Sequence, residues 1–125
     1  MRRRVPALAS LVALLPLAAA GCGGGSSGGS SGSGAAQVLK PGTPIGMKSL
    51  KFHPEHVQVP VGQAITWHND ESIPHDVKAD SGAAFASKSF GKDGTYTWTP
   101  PKAGTVKYEC TLHPGMDGTI DVVAK

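Results

Sequence analysis

An all-β sandwich of about seven or eight short strands is the fold predicted for residues 37–125, and three observations predict it. No window of about ten residues or more in that stretch keeps a helical period, and ten prolines punctuate the 125-residue chain. Val106, Tyr108 and Cys110 alternate with Lys107 and Glu109, a period of two that puts the apolar side chains on one face of a strand. Turn signals at Val61-Gly62-Gln63, Lys92-Asp93-Gly94, Lys102-Ala103-Gly104 and Asp117-Gly118 cut the chain into strand-sized pieces.

Taken in chain order, the strand candidates are residues 49–52, 56–59, 64–69, 76–79, 88–90, 95–99, 104–110 and 119–123, all short, in a stretch broken by Gly, Pro and Asp. The stretch is long enough for one core. Phe52, Val59, Ile65, Trp67, Trp98, Val106 and Ile120 are the residues expected to build it, with Met47 as packing near its start. Residues 80–87 are irregular and leave room for a short helical turn. Pro60 and Pro101 suit edge or turn positions. His68 is out of phase with Trp67 and is expected to face solvent. His53 and His56 flank Pro54 in a turn; they read first as surface residues and only second as an incidental metal site. Trp67 and Trp98 read first as core aromatics and second as electron relays.

Residues 1–22 read as an export signal. Arg2, Arg3 and Arg4 form a positive n-region, residues 5–20 an apolar Leu/Ala-rich segment, and small residues lead into Cys22. Pro6, Ser10 and Pro16 interrupt the apolar run, whereas a retained spanning helix wants about 20 unbroken apolar residues. The ending Ala19-Ala20-Gly21-Cys22 resembles the lipobox of bacterial lipoproteins, with Ala19 where that motif prefers Leu. The resemblance implies lipidation of Cys22. Ordinary cleavage after Ala18-Ala19-Ala20, leaving a free thiol, is the competing reading. Residues 23–36 follow as a linker, purely Gly and Ser as far as Gly34, which loses too much backbone entropy on ordering to fold. Its r.m.s. span of about 20 Å suits a domain standing off a membrane.

Removing the signal changes the charge. The formal +3 resides in Arg2, Arg3 and Arg4; the twelve Lys plus Arg less these three equal the nine Asp plus Glu. A neutral mature chain offers no basic patch for nucleic acid. Export also implies an oxidising compartment, where thiols tend to be paired. With Cys22 lipidated, Cys110 has no partner cysteine, and metal ligation gives a lone thiol a reason to exist.

The stretch Tyr108-Glu109-Cys110-Thr111-Leu112-His113-Pro114-Gly115-Met116-Asp117-Gly118 carries the chemistry. It spaces a thiolate, an imidazole and a thioether three residues apart in a tight loop between two strands. So short a loop can bring Cys110, His113 and Met116 to one point. A second imidazole must come from elsewhere, and His75 in Ile73-Pro74-His75-Asp76-Val77 is the best candidate: it follows a stiffening proline and precedes a strand able to run beside that of Cys110. Taken singly, these residues have ordinary readings: a surface histidine, a small buried hydrophobe for Cys110, a gap-filling methionine. Together they match the ligand set of an electron-transfer copper ion, two His and one Cys in a plane with a weak axial Met. All positions are filled by protein, which leaves none for a substrate and argues against an enzyme.

The domain resembles the cupredoxins, the plastocyanin/azurin/amicyanin group of type 1 blue copper proteins. Phe52-His53-Pro54, Val57, Val59, Gly62, Ile65, Trp67, Asn69 and Pro74-His75 carry the first half of the resemblance. Gly94-Thr95-Tyr96, Gly104 and the Cys-x2-His-x2-Met loop carry the second. That loop is the short one of amicyanin-like members. The resemblance implies a Greek-key sandwich and one copper ion with His75, Cys110 and His113 equatorial and Met116 axial. It implies that His113 reaches the surface within a docking patch of Pro74, Leu112, Pro114 and Gly115. One-electron transfer with a redox protein donor and acceptor follows from it. The family usually has Asn after the first histidine ligand, tying the two ligand loops together; here Asp76 stands there. Its N–H can still reach the Cys110 sulfur and its carboxylate can accept from Thr111, so the change bears on potential or stability. A dinuclear centre would need a second cysteine in the loop. The expectation is therefore a monomeric carrier, exported and lipid-anchored on the extracytoplasmic or periplasmic side of a bacterial membrane. Copper storage, delivery or tolerance with the same ligands is the alternative, which extra Met/His clusters would favour and this chain lacks.

Overall fold

The computed structural model describes residues 35–125, and among them nine strands form and no helix does. The export signal, Cys22 and the Gly/Ser run through Gly34 lie outside the described residues. In chain order the strands are β1 (Gln37–Val38), β2 (Ile45–Lys48), β3 (Lys51–His53), β4 (His56–Pro60), β5 (Ile65–Asn69), β6 (Lys78–Ser81), β7 (Thr95–Trp98), β8 (Gly104–Glu109) and β9 (Asp117–Val123). One sheet has the order β1-β4-β9-β8-β6 and the other β3-β2-β5-β7. Only β2–β3 and β8–β9 join sequential neighbours within a sheet; every other connection passes from one sheet to the other. β1–β4, β4–β9 and β2–β5 pair parallel, whereas the two hairpins and the β5–β7 and β6–β8 pairs are antiparallel.

Alternation along each strand supplies the core. β5 buries Ile65, Trp67 and Asn69 and half-buries Thr66 and His68, so His68 does point away from the core, against Asp70 and Asp93. Ile45, Met47, Phe52, Ile65 and Trp67 from one sheet meet Val57, Val59, Val106, Tyr108, Ile120 and Val122 from the other. Phe52 and Trp67 both meet the Tyr108 ring edge-on, at centroid distances of 4.7 and 5.3 Å. Each such large side chain, fully buried, contributes about 1.5–3 kcal/mol. Trp98 departs from expectation: it is only half-buried, packed on Phe85 at 4.6 Å, because β7 is the edge strand of its sheet.

Five segments differ from the sequence reading. β1 and β2 were not expected; β1 has two residues, and β2 contains Gly46 and Met47, which carry little strand propensity. The expected strand 88–90 reduces to Phe90, which bridges His75 alone. The strand expected at 76–79 starts at Lys78, because Asp76 and Val77 are taken up elsewhere: Val77 N–H donates to Ser87 Oγ at 2.8 Å. Residues 82–87 form no helical turn; the loop lays Phe85 into the core and is pinned by Ala79 N to Phe85 O and Ser87 N to Val77 O, both 2.8 Å.

Candidate metal centre

Cys110 is the residue immediately after β8, and its position follows from the strand's period. Val106 and Tyr108 point inward, so Cys110 does too, and it is buried. The chain then turns back within seven residues to start β9. Cys110 N–H donates to Met116 O at 2.9 Å and Met116 N–H to His113 O at 3.2 Å, closing the loop on itself. Gly115 takes φ +87°, a conformation that disfavours any side chain, and so permits the reversal after Pro114. The reversal leaves Met116 buried and His113 half-buried.

His75 comes from the connection between β5 and β6. It exchanges two backbone hydrogen bonds with Phe90, of 3.1 and 2.9 Å, and has no exposed surface. Asn69, the last residue of β5 and itself wholly buried, organises this connection. Its Oδ1 accepts from Glu71 N–H at 2.8 Å, while its Nδ2 donates to Ile73 O and Phe90 O at 2.9 and 3.0 Å. The bond from Asn69 to the residue two ahead is an Asx turn, a local geometry Asn favours.

The two loops bring three donors together. Among the described residues, His75, Cys110 and His113 form a group whose ligand atoms all lie within 4.8 Å of one another. His75 Nδ1 stands 3.7 Å from Cys110 Sγ, and the two imidazole centroids are 4.8 Å apart. Donors about 2.0–2.3 Å from one ion in a trigonal plane stand roughly 3.7 Å from each other, so the spacing fits a single metal. The tautomers fit as well. Nε2 of His75 donates to Glu71 Oε2 at 2.8 Å and Nε2 of His113 donates to Pro74 O at 3.1 Å, which leaves each Nδ1 as the free donor atom.

Two carboxylates border the group. Glu71 accepts from His75 Nε2–H, from Ser49 N–H at 2.6 Å and from Leu50 N–H at 3.4 Å. Ser49 and Leu50 both have positive φ, of 55° and 56°, so Glu71 holds a costly two-residue turn while it orients the histidine. Burial raises the Glu71 pKa, but these hydrogen bonds outweigh it and the carboxyl titrates below its ordinary range. Asp76 sits on the other side. Its N–H donates to Cys110 Sγ at 3.5 Å, Oδ1 accepts from Thr111 N–H at 2.6 Å, and Oδ2 accepts a short bond from the Thr111 hydroxyl. Burial pushes the Cys110 thiol above its ordinary range, against the lowering effect of the Asp76 and Leu112 N–H groups. A thiol binds a metal as thiolate, so a cation seated beside Cys110 would displace its proton.

Sequence reasoning singled out His75, Cys110, His113, Met116, Asp76 and Thr111; the fold groups the first three, ties Asp76 to Cys110 and Thr111, and buries Met116 at the end of the same loop. It missed Glu71, and it named Asn69 within the resemblance without giving it a role at the site. The signals were present in Asn69-Asp70-Glu71, an Asx-turn spacing, and in Glu71 four residues before His75. His53 and His56 do not meet: His53 Nε2 bonds to Lys48 O at 2.9 Å and His56 Nε2 to Asp121 Oδ2 at 2.7 Å, on different sheets.

Comparison with known proteins agrees with this geometry. The model of the copper binding proteins of the plastocyanin/azurin family matches residues 42–123. An amicyanin of Paracoccus denitrificans is 34% identical over 92 residues, covering 70% of each chain. A plastocyanin of Sambucus nigra is 35% identical over 88 residues, covering 59% of this chain and 89% of its own. Among solved structures, a reduced Cu(I) form of an amicyanin variant aligns with a TM-score of 0.60 at 30% identity, over 73% of this chain and 85% of that one.

Proposed function

The chain belongs to the plastocyanin/azurin family of copper-binding proteins, and from that premise we propose that it is a one-electron carrier tethered outside the cytoplasmic membrane. The observation that carries the reading is the His75, Cys110 and His113 group: three donors within 4.8 Å, two of them buried, with each imidazole's second nitrogen already committed. Bound copper supplies one-electron chemistry, exchanging Cu(II) for Cu(I) without a change in ligands.

The protein's part is to hold the ligands still. The Phe90 bridge and the Glu71 bond fix His75, and the closed 110–116 loop fixes Cys110 and His113. Met116, buried at the end of that loop, would add its thioether to the donors that hold the ion. Burial of His75 and Cys110 keeps water and substrates from the donors, so the reading is of a carrier and not of an enzyme. His113 is the least buried of the three, and Pro74, Leu112, Pro114 and Gly115 around it are all exposed. This apolar face is the proposed docking patch for the redox donor and acceptor, which typically meet through small, transient interfaces. The acidic and basic residues of the described chain balance, which supports docking that depends only weakly on salt. Lipidation of Cys22 and the Gly/Ser linker would keep a monomer at the membrane surface, on the extracytoplasmic or periplasmic side.

The test is the visible spectrum of the purified protein on addition of Cu(II). An intense thiolate-to-copper band, absent in Cys110→Ser, is expected; a colourless complex that survives in Cys110→Ser overturns the site. Stopped-flow electron self-exchange then separates the carrier from a storage or delivery protein. Slow exchange with ready loss of copper to an acceptor would favour the latter.

A further inference from the structure

We propose that the Asp76 carboxylate is a positioning residue that lowers the reduction potential of the site by keeping an uncompensated negative charge against the Cys110 loop. The inference rests on the copper reading above and goes beyond it, from which ion is bound to which oxidation state the protein prefers.

The geometry is specific to one residue pair. Both Asp76 oxygens are taken by Thr111, one by its N–H at 2.6 Å and one by its hydroxyl, and Thr111 is bonded directly to Cys110. The same Asp76 gives its own N–H to Cys110 Sγ at 3.5 Å. The charge therefore cannot swing away from the thiolate: backbone and side chain grip adjacent residues of one loop. Asp76 is half-buried, and among the described residues no lysine or histidine forms an ion pair with it. An anion so placed stabilises the more positive oxidation state of the bound ion, and it does so more strongly at a partly buried site than in water.

A neutral amide in the same place would keep the tie and lose the charge. Asn has a carbonyl oxygen to accept from Thr111 N–H and an amide to donate to the Thr111 hydroxyl oxygen, which can accept as well as donate. A purely structural role for position 76 thus predicts that Asp76→Asn is silent, whereas an electrostatic role predicts a shift. The expected size is on the order of tenfold in the ratio of Cu(I) to Cu(II) affinity, equivalent to a rise of about 59 mV for a one-electron couple.

The experiment is a spectroelectrochemical titration of the copper-loaded full chain, paired with Cu(I) and Cu(II) affinities from chelator competition. Asp76→Asn and Asp76→Ser, both neutral, are expected to raise the midpoint potential and to favour Cu(I). Thr111→Val, which loses the hydroxyl and keeps the charge, is expected to move it by less than half as much. Neutral variants whose potential equals or falls below that of the parent overturn the role of Asp76 while leaving the copper centre intact. A parent protein that forms no thiolate-to-copper band overturns the copper reading and this inference with it.

Discussion

Nε2 of His75 donates a 2.8 Å hydrogen bond to Glu71, and the imidazole making it has no exposed surface. The same carboxylate takes the N–H groups of Ser49 and Leu50, so one side chain ties the β2–β3 hairpin turn to a metal-ligating residue. A carboxylate behind a histidine ligand fixes its tautomer and ring orientation, and losing it typically costs 10–100-fold in metal affinity.

Glu71→Ala is therefore expected to weaken Cu(II) binding by about 10–100-fold, because the His75 Nε2–H is left buried without an acceptor. Glu71→Gln, which retains one carbonyl oxygen for the ring, should fall between that variant and the parent. Chelator competition followed in the visible band measures both. An affinity within a factor of two of the parent in Glu71→Ala would show that the Phe90 bridge alone orients His75.

Copper removal should loosen the protein without unfolding it. Most of the core, from Ile45 and Phe52 to Ile120 and Val122, lies on the strands between the sheets, and of the ligand loop only Cys110 and Met116 join it. Free copper at a thousand times its Kd adds about 4 kcal/mol to the folded state. For a domain of this size that is a rise in Tm of roughly 15 °C or more. Calorimetry of the apo and loaded forms is the check. A cooperative apo transition is expected, and Cys110→Ser should lose most of the increment. An apo form with no cooperative transition would mean that the metal, rather than the sandwich, organises the fold.

The pairing of Cys110 with His113 was legible in the sequence because a seven-residue loop between two strands leaves them little freedom to diverge. Alternation made the same true of Val106, Tyr108 and Ile120 in the core. Glu71 was not legible, since its meaning depends on the β2–β3 turn reaching it across more than twenty positions, and β2 itself was too short and too poor in β-branched residues to read. Residues 88–90 misled for the opposite reason. Phe90 does pair as a strand residue would, but its partner is a ligand loop in which only His75 is extended, so the ladder stops after one bridge.

The Tyr108 hydroxyl and Trp67 Nε1 are both buried with no well-formed hydrogen bond among the described residues, and the indole N–H is the one polar group near enough to offset slightly the desolvation of the phenol. Removing one such hydroxyl while keeping the ring relieves a desolvation cost of about 1–3 kcal/mol. Tyr108→Phe should thus be neutral or stabilising by on the order of 1 kcal/mol in denaturant unfolding. Burial also pushes the phenol well above its ordinary range. A group with a raised folded pKa contributes stability that is complete below its unfolded pKa and lost as pH rises toward the folded value. In strongly alkaline solution the parent should therefore lose stability faster than Tyr108→Phe. Equal slopes, or a Phe variant clearly less stable at neutral pH, would show that the hydroxyl has a partner in solution.

Gly118 lies opposite Tyr108 in the β8–β9 ladder, and it is buried. A Cβ at this position would fall on Cζ and Oη of the Tyr108 ring, and Cε1 would stand only 2.6 Å away. The ring cannot retreat, because Phe52 and Trp67 pack against it at 4.7 and 5.3 Å. Alanine must then push β8 and β9 apart, next to the hairpin loop that holds Cys110 and Met116. Gly118→Ala is expected to destabilise the apo protein by at least the 1–3 kcal/mol typical of overpacking. Because the obstacle is one side chain, Tyr108→Val should rescue part of the loss, giving a coupling energy between about 0.5 and 3 kcal/mol in the double-mutant cycle. Additive effects in that cycle would place the strain in the β9 backbone instead. A Gly118→Ala protein that unfolds at the parent's midpoint would mean that the ladder has slack which the Tyr108 packing denies it.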